Sequence, residues 1–124
     1  MRLLSTHLTK NVEIHAVDEP GQGGACHEYR VDWYDRATPL DKNLTVGGSA
    51  TVSFQNGPIK EVGVNGIPDE ALYAILIDRL QGFQRGQFSC RENAIALTHL
   101  ETALLWLQRR TDRRTFQGVE GVTI

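Results

Sequence analysis

The longest periodic segment of the chain runs from about Cys90 to Thr115, with Ile95, Leu97, Leu100, Leu104, Trp106 and Leu107 as its apolar positions. It predicts a helix of roughly 25 residues, or about 37 Å. In a chain of 124 residues, such a helix outruns any sheet the remainder can build. Its far end must project or meet another chain. Ser89-Cys90-Arg91-Glu92 reads as a capping box, with Ser89 accepting from the third-position amide while Glu92 reaches back.

A second helical segment precedes it. Pro68-Asp69-Glu70 opens this helix, with proline in the first turn and acids facing the positive end of the dipole. Ala71, Leu72, Ile75, Leu76 and Leu80 form its apolar stripe, and Gly82 suits the left-handed position that ends it. The link from Phe83 to Phe88 is short, so the long helix returns antiparallel.

Upstream the period changes to that of strands. Val12 to Val17 alternates apolar and polar, and His27 to Tyr34 resumes that pattern after the turn-rich Asp18 to Ala25. Residues 35 to 48 are polar, with weak periodicity. Thr51 to Gln55 and Ile59 to Val64 flank Asn56-Gly57, a strong two-residue hairpin signal, although Pro58 removes one ladder donor. The expected class is α+β: antiparallel β hairpins, then an antiparallel two-helix hairpin with a long second helix. One domain is expected over 1–124, with a β part at 1–64, the helical hairpin at 65–116 and a loose tail at 117–124.

The formal charge of −2 argues against a protein that coats long nucleic acid, where a basic excess supplies most of the affinity. No apolar run reaches membrane-spanning length, and nothing at the start resembles a signal peptide. A cytosolic protein with free thiols at Cys26 and Cys90 is expected, a disulfide between them being the lesser alternative.

Catalytic chemistry finds little footing. His7, His15, His27 and His99 show no ligand spacing on a helix face. There is no nucleophile elbow and no phosphate loop. No catalytic residue, metal or cofactor is expected. Gly21-Gln22-Gly23-Gly24 reads as a hairpin loop, with an anion-binding nest as the alternative.

Four arginines fall within Arg109-Arg110-Thr111-Asp112-Arg113-Arg114. Arg110 and Arg114 share a helix face, and counting back from Arg110 reaches Leu107, Ala103 and Leu100. Two readings stand: a solvated helix end favoured by the dipole, or forks lining a groove for phosphates. Phe83 is either the contact that accompanies a capped helix end or a platform for a base. Asn93 is either a polar residue of the cap region or an amide that reads a base edge or ribose hydroxyl.

The segments Gly66-Ile67-Pro68-Asp69-Glu70-Ala71-Leu72, Ile77 to Gln84, Cys90 to Ala94, Trp106 to Thr111 and Gly118-Val119-Glu120-Gly121 resemble the first type of Thoeris anti-defence protein of phages. That family shares its hairpin with an anti-CBASS sponge. The resemblance covers residues 65 to 121, and less distinctively the upstream strands. It implies a non-enzymatic sponge in the cytoplasm of the infected bacterium, holding cyclised ADP-ribose isomers and, in some members, cyclic oligonucleotides. The family's aromatic corresponds to Phe83, its asparagine to Asn93 and its terminal arginines to Arg110 and Arg114. Asn93 and Arg110 lie 17 residues apart, about 25 Å along a helix, so a shared pocket needs two chains and a homo-oligomer, a dimer or assembly of dimers. The alternatives are a protein–protein inhibitor and a small DNA-binding regulator.

Overall fold

The computed structural model describes residues 1–4, 11–35 and 45–116. His7 and the tail from 117 lie outside them. The chain divides into two compact units, residues 1–56 and 57–124. The first is a four-stranded antiparallel sheet in the order β1 (Arg2–Leu3), β2 (Val12–Ala16), β3 (Glu28–Asp35), β4 (Thr45–Ser53). The second holds α1 (Ile59–Val62), α2 (Asp69–Arg85) and α3 (Arg91–Phe116). The expected α+β architecture with a long last helix is therefore the one observed.

Cross-strand pairing sorts the sheet residues onto two faces, because the side-chain period of a strand is two. Ile14, Val31 and Ala50 are in register on one face, as are Ala16, Tyr29 and Val52. Glu13, Asp32 and Ser49 line up on the other, beside His15, Arg30 and Thr51. Ala16 is fully buried, and Phe54 meets Tyr29 edge-on at 5.8 Å. On the polar face Asp32 is 7% exposed. It accepts from the Ser49 hydroxyl and from Arg30 Nε at 3.1 Å. These bonds, the Ser49 hydrogen bond foremost, hold its carboxyl below the usual range although burial opposes them.

The β2–β3 connection is the long-looped hairpin anticipated. Asp18 closes it, accepting from the His27 and Glu28 amides at 2.9 to 3.1 Å. Those amides, His27 above all, lower its pKa. Gly23 and Gly24 adopt φ of 74° and 87° around a short 3-10 turn. The amides of Gly21 and Gly24 are spent inside the loop, on Ala25 and Gly21 carbonyls at 2.9 Å each.

The second expected hairpin does not form. Thr51 pairs with Arg30 of β3, and Ile59–Val62 is one turn of helix. A type I′ turn needs positive φ at both central residues, whereas here only Gly57 has it, at 90°. Pro58, with φ −66° and ψ 134°, instead caps α1, its carbonyl accepting from Val62 at 2.9 Å. Lacking an N–H, it suits a helix start better than a ladder.

In the second unit α2 and α3 pack together. The less exposed residues of α2 include Glu70, Tyr73, Ile77, Leu80 and Gln84, and those of α3 include Asn93, Leu97, Leu100, Leu104, Leu107 and Thr111. Both series alternate steps of three and four, the spacing of an antiparallel coiled-coil seam. Ile77 is the one buried residue of α2, while Ile75 and Leu76, which the sequence pattern placed on the stripe, are exposed. α2 also runs through Gly82 to Arg85 and ends at Gly86 with φ −115°. Gly82 is helical because tertiary packing holds the last turn together, and no left-handed residue is used. Phe83 consequently belongs to the helix and not to the link.

Two outcomes are expected. Gly82→Ala should stabilise the protein by about 0.5–1 kcal/mol in urea unfolding, because alanine outranks glycine inside a helix and nothing lies within 4 Å of the added carbon. A left-handed cap at Gly82 would give the opposite sign. The depressed Asp18 and Asp32 carboxyls contribute stability above the unfolded carboxylate pKa, and it is lost as pH falls through their lower folded values. Asp32→Asn should therefore be less stable than the parent at neutral pH and lose less on acidification, as read by thermal melts between pH 7 and 2.

Candidate functional site

The hairpin has two chemically distinct ends. At the turn end, the half-buried Phe83 lies on the last turn of α2. Arg79, one turn earlier, places its guanidinium 5.2 Å from the Phe83 ring centre. Phe88 meets the same ring edge-on at 6.5 Å and 88°, although Phe88 is itself 73% exposed. Phe83 thus carries both the packing role and a cationic neighbour. Neither Arg79 nor Phe88 was singled out from sequence; the four-residue step from Arg79 to Phe83 was the available signal.

The start of α3 uses a cap shifted by one residue. Cys90 is the capping residue: its sulfur accepts from the Asn93 amide at 3.4 Å, and its carbonyl accepts the first helical bond, from Ala94 at 3.1 Å. The Cys90 amide donates to Gln84 Oε1 at 3.1 Å. The residue reaching back is therefore Gln84 from the neighbouring helix, and the expected Ser89–Glu92 box is not the one formed. A third-position side chain ordinarily performs this task. Asn93 holds that position, on the half-buried face of α3.

At the open end, Glu70 from the first turn of α2 joins the last turns of α3. Thr111 donates to Glu70 Oε2 at 3.2 Å, and Arg110 Nη2 stands 3.7 Å from Oε1. The Arg110 Nε is buried without an acceptor among the described residues. Trp106, Arg109, Arg110 and Arg113 line a hollow of about 400 Å³, where the Arg109 guanidinium lies 5.2 Å from the centre of the exposed Trp106 ring. Arg114 is exposed and does not line it. Trp106, Arg109 and Arg113 are spaced three and four apart, the signal that pairs them on one face. Within one chain, Phe83 and Asn93 thus share one end and Arg110 and Arg114 the other, about 25 Å away along α3.

Elsewhere the chemistry is modest. Among the described residues no group of His, Cys, Asp and Glu is placed to hold a metal ion, and no helix is long and apolar enough to cross a membrane. Both cysteines are free, Cys26 buried with its thiol donating to the Asp18 carbonyl at 3.3 Å and Cys90 exposed.

A long helix folded back on a shorter one makes an antiparallel helical hairpin. The chain belongs to the Acb2/Tad1 hairpin-domain family, whose profile matches residues 49–112. It is also similar to a protein of Bacillus phage SBSphiJ7 called Thoeris anti-defense 1, with 56% identity over 84 residues. The matched stretch is 64% of this chain and 59% of that protein, so it spans little more than half of the relative's length.

The Gln84–Cys90 bond is open to test. Gln84→Ala should cost about 0.5–1.5 kcal/mol, the net worth of one hydrogen bond, and Gln84→Glu, which keeps an acceptor beside the helix start, should restore it. Faster amide exchange at Cys90 in the alanine variant alone would locate the loss at the cap; unchanged exchange would show the bond to be unimportant.

Proposed function

We propose that this protein is a phage anti-defence sponge that binds cyclic nucleotide immune signals in the cytoplasm of the infected bacterium and holds them without degrading them. Membership of the Acb2/Tad1 hairpin-domain family carries the reading, supported by the similarity to Thoeris anti-defense 1. The signals taken are cyclised ADP-ribose isomers, with cyclic oligonucleotides of CBASS as a further ligand class. Sequestration asks only for affinity and abundance, and needs no catalytic residue and no cofactor.

In this reading a base stacks on Phe83, the Asn93 carboxamide binds a base edge or ribose hydroxyl, and Arg110 and Arg114 neutralise the pyrophosphate. The Arg110–Glu70 separation of 3.7 Å exceeds hydrogen-bond length, so the guanidinium keeps donors for a ligand. The two ends of one hairpin are too far apart for one such ligand. Each pocket therefore takes Phe83 and Asn93 from one chain and the arginines from its partner. A two-fold pairing of antiparallel long helices produces two such pockets per dimer. The exposed Ile75, Leu76, Ile95 and Leu105 supply apolar surface for that pairing.

The experiment mixes Phe83→Ala chains with Arg110→Ala/Arg114→Ala chains under exchanging conditions and titrates a cyclic ADP-ribose isomer by calorimetry. Neither parent variant should bind, and mixed dimers should regain one of two pockets. Denaturing the complex should release the ligand intact. At a hundred times Kd the ligand should stabilise the protein by about 2.7 kcal/mol. Binding at full affinity by a monomer refutes the shared pocket, and progressive loss of intact ligand beyond one equivalent per pocket refutes the sponge.

A further inference from the structure

We propose that the outer edge of β4 is an interaction surface for a second copy of this chain, which adds its own β4 antiparallel and joins two four-stranded sheets into one. The contact uses the first unit alone. It is separate from the pairing of long helices and involves no ligand.

The two edges of the sheet differ. β1 offers two residues, one of them Arg2, whereas β4 runs for nine. Edge strands are ordinarily blunted by shortness, charge or proline. β1 follows that rule and β4 does not, for neither a charged residue nor a proline occurs from Thr45 to Asn56. A bulge at Gly47 interrupts its ladder to β3, which leaves 48–53 as the regular part.

The direction of the free backbone groups follows from the pairing with β3. Phe54 donates its amide to the His27 carbonyl at 2.7 Å, one step beyond the Glu28–Ser53 pair. Backbone groups alternate sides along a strand. Ala50 and Val52 therefore spend theirs on β3, and Ser49, Thr51 and Ser53 turn theirs outward. Those outward groups have no partner among the described residues.

Self-pairing satisfies them together. With Thr51 opposite the partner's Thr51, Ser49 faces the partner's Ser53, and each such pair exchanges both ladder bonds. Hydroxyl side chains meet on one face, and Ala50 meets the partner's Val52 on the other. Gly48 then lies opposite the partner's Phe54. A β-carbon at Gly48 would collide with the Trp33 indole, which lies against this glycine and is 43% exposed. The partner's phenyl ring thus meets an aromatic surface above a bare backbone. A strand that faces its own copy must carry no charge, because like charges directly opposite repel, and β4 meets that condition. The contact is isologous and closes on itself, since only the short β1 edges remain outside.

The test follows amide exchange along β4 at low and high protein concentration. Ala50 and Val52 should be protected throughout, and Ser49, Thr51 and Ser53 should gain protection as concentration rises. Thr51→Glu suits the single chain, where Arg30 lies opposite, but sets two carboxylates against each other in the pair. It should abolish protection of the three outward amides and leave that of Ala50 and Val52. Thr51→Cys in a Cys90→Ser background should cross-link to itself on mild oxidation, its two α-carbons being about 5.5 Å apart, within disulfide reach. Ser49→Cys should not, since its copy lies four residues along the partner strand, about 13 Å away. Outward amides that exchange fast at every concentration, or protection that persists in Thr51→Glu, overturn the proposal. If Thr51→Glu also exposes Ala50 and Val52, the cross-link decides: a disulfide at position 51 and none at 49 upholds the pairing, and any other pattern refutes it.

Discussion

Two helices side by side can bury one stripe each, and that limit governs the second unit of this protein. The stripe Tyr73, Ile77, Leu80 faces the series Leu97, Leu100, Leu104, Leu107, yet only Ile77 falls as low as 9% exposure. Packing of this kind gains about 25 cal/mol for each Å² of apolar surface removed from water, so a seam this open contributes less than a closed core would. The apolar residues off the seam keep their contact with solvent. The same limit explains why the hairpin has ends at all, since among the described residues neither terminus of the seam is covered by a third element of the unit and each is closed by polar bonds.

The sequence told most where local period and tertiary packing agree. The strands from Val12 and His27 are alternating segments, and their polar and apolar residues fall on opposite faces. The pairing of two helices with a long second member was equally legible from the lengths of the periodic runs. The reading failed where one residue type serves two purposes. Asn56-Gly57 signals a tight turn in isolation, but Pro58 directs the backbone into a helical turn. Gly82 looks like a terminator, yet packing carries the helix past it to Arg85. In α2 both Ile75-Leu76 and Ile77 are apolar, and period alone could not choose which of the two adjoining faces the partner helix covers.

The candidate site shows the same division. Residue type and spacing brought Phe83, Asn93, Arg110 and Arg114 to attention, but not their partners. Glu70 was read as an acid at the positive end of a dipole. It also reaches the last turns of α3, because α3 runs back antiparallel along α2. Gln84 and Cys90 were invisible as a pair, since a cap supplied by another helix leaves no local motif. Trp106 was counted among the apolar positions of the long helix, although its indole stands in solvent beside arginines. In each case the missing information was which side chain meets which across the seam.

The polar closures at the two seam ends also act as an index. Slipping α3 along α2 by one heptad would keep apolar residues opposed, since both series repeat the same steps. It would, however, carry Thr111 and Arg110 about 10 Å away from the part-buried Glu70 carboxylate and break the bond from the Cys90 amide to Gln84. Such unpaired groups are costly where they leave water, so the hairpin has one favoured register. Its aromatic and cationic ends are consequently held at a set interval, and the molecule serves as a gauge block. In any assembly that brings the ends of different copies together, that interval determines which ends meet, and a single-residue deletion in either helix would rotate one end out of line by about 100°.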